Sequence, residues 1–200
     1  MKLLQILSGI FGEHSQSTVL AQQFAASWQS ANSNGEVVVR DLINEEVPHL
    51  NATTIMAFGT PEADRTAEQQ ALVSKSDALI QEIKDADAIV MGVPMYNFAV
   101  PTQLKAYFDQ LARAGVTFQY TENGPKGMLE DKPVYVMAAR GGMHKGLPTD
   151  TQTDFIKTFL GFIGLHDVRF VYAEGVNMGD EAKEQAIHQA KQDIELALEN

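Results

Sequence analysis

Short apolar runs alternate with longer segments of helical period from one end of this chain to the other, the pattern of βαβ units wound around a parallel sheet. Five runs read as strands: Lys2 to Leu7, Glu36 to Arg40, Ala88 to Val93, Val134 to Ala139 and Asp167 to Tyr172. The segments between them carry apolar stripes. In the last, Ala186, Ile187, Ala190, Ile194, Ala197 and Leu198 recur at helical spacing, so each helix has a face with which to cover the sheet. Five such strands fit the doubly wound order 2-1-3-4-5 with helices on both faces. That order places a ligand outside the carboxyl ends of the strands, at the point where the winding reverses.

Two stretches depart from the alternation. The helix ahead of strand four is marked by Pro101 near its start, by Leu104, Phe108 and Leu111, and by Gly115 just past its end. After it, Val116 to Pro125 alternates with period two and runs into a turn, an insertion expected to leave the sheet edge. Ile43 to Ala63, with Pro48, Gly59 and Pro61, is too long for an ordinary connection and reads as a functional loop or a dimer-contact segment. No repeat or linker interrupts the 200 residues, 44% of them hydrophobic, so residues 1–200 are expected to form a single domain.

The formal charge of -11, without any Lys/Arg cluster, argues against a nucleic-acid or anionic-membrane partner. The absence of cysteine excludes disulfides, thiolate metal sites and cysteine nucleophiles. Redox chemistry would therefore need a borrowed cofactor. Met1 to Leu7 is too short for a signal-peptide core, and no apolar run approaches the roughly 20 residues that span a bilayer. A cytoplasmic protein is expected.

Three loops then fall where the doubly wound order puts a ligand. After strand one, Ser8-Gly9-Ile10-Phe11-Gly12-Glu13-His14-Ser15-Gln16-Ser17-Thr18 is small and hydroxyl-rich and opens a helix carrying Leu20, Phe24 and Trp28. Free amides and hydroxyls at a helix N-terminus suit a monophosphate. Ser15 equally reads as a plain helix cap. After strand three, Met95-Tyr96-Asn97-Phe98 offers two aromatics, an amide and a flexible apolar side chain, one wall for a flat, polar-edged ring such as a flavin. After strand four, Ala139-Arg140-Gly141-Gly142-Met143-His144 sets adjacent glycines where a backbone must come close to something.

These loops, together with Ala114-Gly115-Val116-Thr117-Phe118, Tyr120 to Pro125 and Phe159-Leu160-Gly161-Phe162-Ile163-Gly164, resemble the FMN-dependent NADH:quinone oxidoreductase and azoreductase family. The resemblance covers nearly the whole chain, weakening in residues 43–64 and after Gly175. Members were once labelled acyl carrier protein phosphodiesterases, but nothing in this sequence supplies the metal site such hydrolysis usually needs, and no metal ligands are expected. The resemblance implies a flavodoxin-like three-layer sandwich and a homodimer binding one FMN per subunit. NADH is the implied donor, with quinones and azo compounds as acceptors in a ping-pong two-electron exchange.

Residue by residue, the resemblance puts the phosphate loop on Gly9, Ser15, Gln16 and Ser17. The isoalloxazine wall falls on Met95, Tyr96, Asn97 and Phe98, with the Asn97 N–H at flavin N5. The glycine turn falls on Ala139, Arg140, Gly141 and Gly142, with the Gly141 and Gly142 amides at the pyrimidine edge. Many relatives carry serine at the positions of Gly9 and Ala139, so weaker FMN binding is expected, with Ser8 as a substitute hydroxyl. Phe98, Tyr120 and Phe162 are the implied stacking groups for the acceptor, Phe162 coming from the partner subunit. Plain core packing is an equal reading of Phe162, which lies in the stripe Phe155, Ile156, Phe159, Leu160, Ile163. His144 is the candidate acid beside the glycines, and a solvated loop histidine is the alternative. Two other functions fit the fold: a flavodoxin-like carrier passing electrons to a protein partner, and a flavin-free α/β domain.

Overall fold

In the computed structural model, which describes residues 1–199, the main elements in chain order are β1 (Lys2–Leu7), α1 (Gln16–Ala31), β2 (Glu36–Asp41), α2 (Ala52–Gly59), α3 (Ala67–Asp85), β3 (Ala88–Pro94) and α4 (Thr102–Leu111). There follow β4 (Phe118–Thr121), β5 (Gly124–Gly127), β6 (Val134–Arg140), α5 (Thr151–Ile163), β7 (Val168–Glu174) and α6 (Asp180–Leu198). Five strands pair in parallel in the order β2-β1-β3-β6-β7. Leaving out the two strands of a separate hairpin, this is the expected 2-1-3-4-5.

β3 is buried at all seven positions because it is paired on both sides and covered on both faces. Its alternate side chains enter two different cores. Ile89, Met91 and Val93 join Leu4, Ile6, Val134 and Val136 beneath α3, α4 and α5. Ala88 and Val90 join Leu3, Leu7 and Met137 beneath Leu20, Phe24 and Trp28 of α1 and Ala190 and Ile194 of α6. Full burial of each large aliphatic contributes about 1.5–3 kcal/mol, so the central strand anchors both layers at once.

One glycine sets how closely α1 approaches the sheet. A Cβ on Gly92 would lie 2.8 Å from the backbone oxygen of Ser17, so only glycine lets the first turn of α1 sit against the end of β3. That contact carries the loop after β1 to the strand ends.

The irregular stretches resolve differently. Residues 43–63 are not a structureless loop: they contain α2, capped by the Asn51 side chain, which accepts from the Thr54 N–H at 2.9 Å. Thr60 and Pro61 then lead into a short 3-10 turn, Glu62–Asp64. The alternating segment after α4 does leave the sheet, as the antiparallel hairpin β4–β5. It leans on the far end of α5, where the Leu129 N–H donates to the Ile163 carbonyl at 3.0 Å. Gly115 does not cap α4, which closes at Ala112; with φ +76° it turns the chain toward β4, its N–H donating to the Phe118 carbonyl.

Candidate cofactor site at the strand ends

The loop after β1 is built around crowding at Gly9. A Cβ there would fall 2.2 Å from the Ser15 Oγ and 2.9 Å from the Thr18 Oγ1, so the two hydroxyls occupy the space a side chain at position 9 would take. Ser15 stands at the N-cap of α1, yet its side chain makes no capping bond and lies 3.4 Å from the Ser17 Oγ. The plain-cap reading of Ser15 is thereby set aside. The first-turn amides have no acceptor within the helix, and the buried Thr18 hydroxyl has no hydrogen-bond partner. Gln16 lies in the same turn and lines a groove against Lys183 and Ile187 of α6. Ser8 is not free to substitute for a missing hydroxyl: it is fully buried and donates to the Gly92 carbonyl at 2.7 Å.

The wall after β3 is a two-residue reversal. Tyr96 and Ala99 exchange N–H to carbonyl bonds of 3.0 Å, and the residues between them, Asn97 and Phe98, have φ of 50° and 65°. Positive φ at both central positions defines a type I′ turn, which suits Asn first and Gly second. Phe98 therefore holds a conformation that costs a residue with a Cβ about 1–2 kcal/mol. It does so with its ring exposed to solvent. Neither the Asn97 nor the Phe98 amide donates to another described residue. Met95 is fixed by its N–H, which donates to the Ala139 carbonyl at 2.9 Å, tying this wall to the end of β6.

The glycine turn after β6 is held from behind. The loop after β7 donates three amides into it, from Gly175 to the Gly142 carbonyl, Val176 to Arg140 and Asn177 to Gly141. The amides of Gly141 and Gly142 have no acceptor among the described residues. Glu174 collects Arg140 Nη1 at 3.1 Å and the His144 and Lys145 amides at 2.9 Å each through a single oxygen.

Arg140 is turned inward. Its side chain is 0% exposed, donates to Asp150 at 2.8 Å and to the Thr153 hydroxyl at 2.9 Å, and stacks on the Tyr172 ring. Only its backbone remains for a ligand. Burial by itself would push the Asp150 carboxyl up, but hydrogen bonds from Arg140 and from the Thr153 amide and hydroxyl outweigh it and hold the group below the usual carboxylate range. Burial pushes the Tyr172 phenol up.

His144 sits inside the site. Its ring meets Phe98 edge-on at 5.7 Å, and Nδ1 lies 2.9 Å from the Thr149 hydroxyl. Tyr120 and Phe162 do not join it within this chain. Tyr120, 76% exposed, is on the hairpin, and Phe162 packs at a tilt against Phe118, ring centroids 4.2 Å apart, at the end of α5 opposite the site. The helical rise of about 1.5 Å per residue separates that end from Thr151 by roughly 16 Å. Sequence reasoning passed over Thr151, Gln152 and Glu174, which hold or line the site, and named Thr18 only as part of the hydroxyl-rich loop. The Thr-Gln pair opening a helix after the glycine loop was the available signal.

Three facing sets of unpaired donors, an orphaned buried hydroxyl at a helix N-terminus and an exposed ring in a strained turn fit a flat heterocycle with a polar edge and a phosphate tail. They fit FMN. A family model described as flavodoxin-like fold matches residues 1–198. An FMN-dependent NADH:quinone oxidoreductase of Cellvibrio japonicus (strain Ueda107) is 58% identical over 196 residues, 98% of each chain. The crystal structure of an azoreductase from Bacillus anthracis str. Sterne superposes with a TM-score of 0.90 at 29% identity, covering 99% of this chain and 98% of that one. An FMN-dependent NADH-azoreductase from Bacillus anthracis str. Ames Ancestor, in complex with FMN, gives 0.89 at 25% identity over 99% and 97%. On this evidence the chain belongs to the flavodoxin-like family of FMN-dependent NADH:quinone oxidoreductases and azoreductases.

Proposed function

We propose that this protein is an FMN-dependent NADH:quinone oxidoreductase that also cleaves aromatic azo compounds reductively. The observation that carries the reading is the Asn97–Phe98 turn: an aromatic ring kept exposed in a costly backbone state, beside two amides with no protein acceptor. FMN, when bound, supplies the two-electron chemistry between NADH and the acceptor.

The chain's own residues supply position and charge complementarity. Ser15, Ser17, Thr18 and the first-turn amides of α1 would hold the phosphate through their donors and the helix dipole. The amides of Asn97, Gly141 and Gly142, which have no acceptor among the described residues, would hold the ring edge of FMN and supply electrostatic stabilisation to it without reorganisation. The Phe98 face offers a flat, apolar platform to an aromatic acceptor. His144, against the edge of Phe98, would deliver a proton to an acceptor on that face.

Residues 1–200 are read as one domain, since both cores share the single five-stranded sheet. The protein is proposed to act in the cytoplasm, where NADH is at hand; no helix among the described residues is long and apolar enough to cross a membrane. It is proposed to be a homodimer, because Tyr120 and Phe162 lie a helix length from Phe98 in their own chain, so the partner's Tyr120 and the partner's Phe162 would complete the acceptor slot. A carrier serving a protein partner is not favoured, since the relatives bear the names of NADH:quinone oxidoreductases.

The decisive experiment is steady-state NADH oxidation by the purified FMN-loaded protein with a quinone panel and no other protein, run beside sedimentation equilibrium. Parallel-line ping-pong kinetics and a dimer mass are expected. Turnover that requires an added redox protein would overturn the enzymatic reading, and a monomer with full activity would overturn the shared slot.

A further inference from the structure

The first turn of α5 reaches both flavin-facing loops with three consecutive residues. Asp150 holds Arg140 at the end of β6. The Thr151 hydroxyl donates to the Phe98 carbonyl. Gln152, 1% exposed, donates from Nε2 to the Pro94 carbonyl at 2.9 Å and to the Ala99 carbonyl at 3.4 Å, the two sides of the 96–99 reversal. Its Oε1 has no partner. The amide is thus oriented by its donor end alone, since turning it over would set Oε1 against two carbonyl oxygens.

We propose that Gln152, assisted by Thr151, is a positioning residue for the flavin: it fixes the carbonyls of the Asn97–Phe98 turn from behind, so that the amides of that turn stay presented to the cofactor. The inference rests on the FMN-binding reading above. Two positive-φ residues in succession relax toward extended backbone unless surrounding groups over-determine them. Here the over-determination comes from three side-chain donations to the carbonyls of residues 94, 98 and 99. Glutamine suits the place because it brings two N–H donors on an uncharged group. An ionised carboxylate is acceptor-only and would repel both carbonyls, whereas a protonated one restores a donor.

The test is FMN titration of the flavin-free protein, with the midpoint potential of the bound flavin, for wild type, Gln152→Leu, Thr151→Val and Gln152→Glu across pH. Gln152→Leu is expected to raise the FMN Kd about tenfold and move the potential, with Thr151→Val doing so by about threefold. Gln152→Glu is expected to bind like wild type in acid and like Gln152→Leu in alkali, a pH dependence that a purely structural glutamine would not create. If Gln152→Leu fails to fold, the other two variants decide. Wild-type Kd and potential in Thr151→Val, together with a pH-independent Gln152→Glu, overturn the positioning role. A wild type that takes up no FMN overturns the functional reading, and this inference with it.

Discussion

The Tyr96 hydroxyl accepts a hydrogen bond from the Ile10 backbone N–H at 3.3 Å, joining the loop after β1 to the turn after β3. A phosphate loop and a ring wall that must hold one rigid ligand gain from such a tie. Tyr96→Phe keeps the ring and removes the tie alone. A single neutral hydrogen bond contributes about 0.5–1.5 kcal/mol, so the FMN Kd is expected to rise about two- to tenfold with the melting temperature nearly unchanged. Fluorescence titration measures it, and an unchanged Kd would show that the two loops are set independently.

Gly9 was expected to mark a missing hydroxyl that serine would restore. Crowding at this position argues for the opposite outcome. Because the Ser15 Oγ lies 2.2 Å from where a Cβ would stand, Gly9→Ser requires the Ser15 side chain to shift at the helix N-terminus. Weaker FMN binding and a lower melting temperature are expected, and both losses should shrink in a Ser15→Gly background, where the obstruction is gone. Additive losses in the double-variant cycle would refute the coupling.

Asp150 gives a pH prediction. Its folded carboxyl titrates below the ordinary value, with burial opposing and the Arg140 and Thr153 hydrogen bonds prevailing. Its stabilising contribution is therefore fully present above the unfolded value of about 3.9 and is lost as pH falls through the lower folded value. Asp150→Asn leaves the buried guanidinium with Glu174 as its one remaining carboxylate among the described residues, and is expected to cost about 3 kcal/mol at neutral pH, the low end for a broken buried pair. Urea unfolding across pH should show the gap between wild type and variant closing in acid. A gap that stays constant down to pH of about 2 would contradict this assignment.

His144 touches Phe98 rather than the phosphate loop, so its removal is expected to act on the acceptor step. In stopped flow, His144→Ala should slow flavin reoxidation by a quinone about a hundredfold or more, the scale of a lost general acid, and leave reduction by NADH within about twofold. Equal effects on both half-reactions would reduce His144 to loop packing.

The sheet and its ligand edge were legible because helical stripes mark the connections, and a fully apolar run such as residues 88–94, too short for a buried helix, reads as a doubly covered strand. The three loops followed from that order. Other features were not legible, each for a physical reason. Arg140 looked available because a charged residue beside glycines is usually solvated; its burial depends on Asp150 and Glu174, ten and 34 residues further along the chain. Ser8 looked interchangeable with Gly9, but strand alternation and the close approach at Gly92 commit it to the core. Gln152 shows in one dimension only as part of a Thr-Gln pair opening a helix; the packing of α5 against the end of β3 is what turns that ordinary glutamine into a clamp. Phe162 was read as the partner's contribution to a slot with Phe98 and Tyr120, and within one chain it lies against Phe118 at the far end of α5.

Phe98 holds a position where a type I′ turn favours glycine, so the native residue trades backbone ease for a ring. Phe98→Gly removes the strain and the platform together. Relief of a positive-φ side chain is worth about 1 kcal/mol, which should match or exceed the loss of one edge contact with His144, so the flavin-free variant is expected to melt at the wild-type temperature or a few degrees higher. Its activity should move the other way. With no ring to stack on, the quinone KM is expected to rise about tenfold, the worth of roughly 1.4 kcal/mol of aromatic contact, while the NADH half-reaction changes little. Phe98→Leu separates the two effects, because it keeps the strained backbone and loses only the flat ring: it should share the raised KM without the gain in melting temperature. If Phe98→Gly is instead less stable than both, the ring belongs to the fold and not to the acceptor.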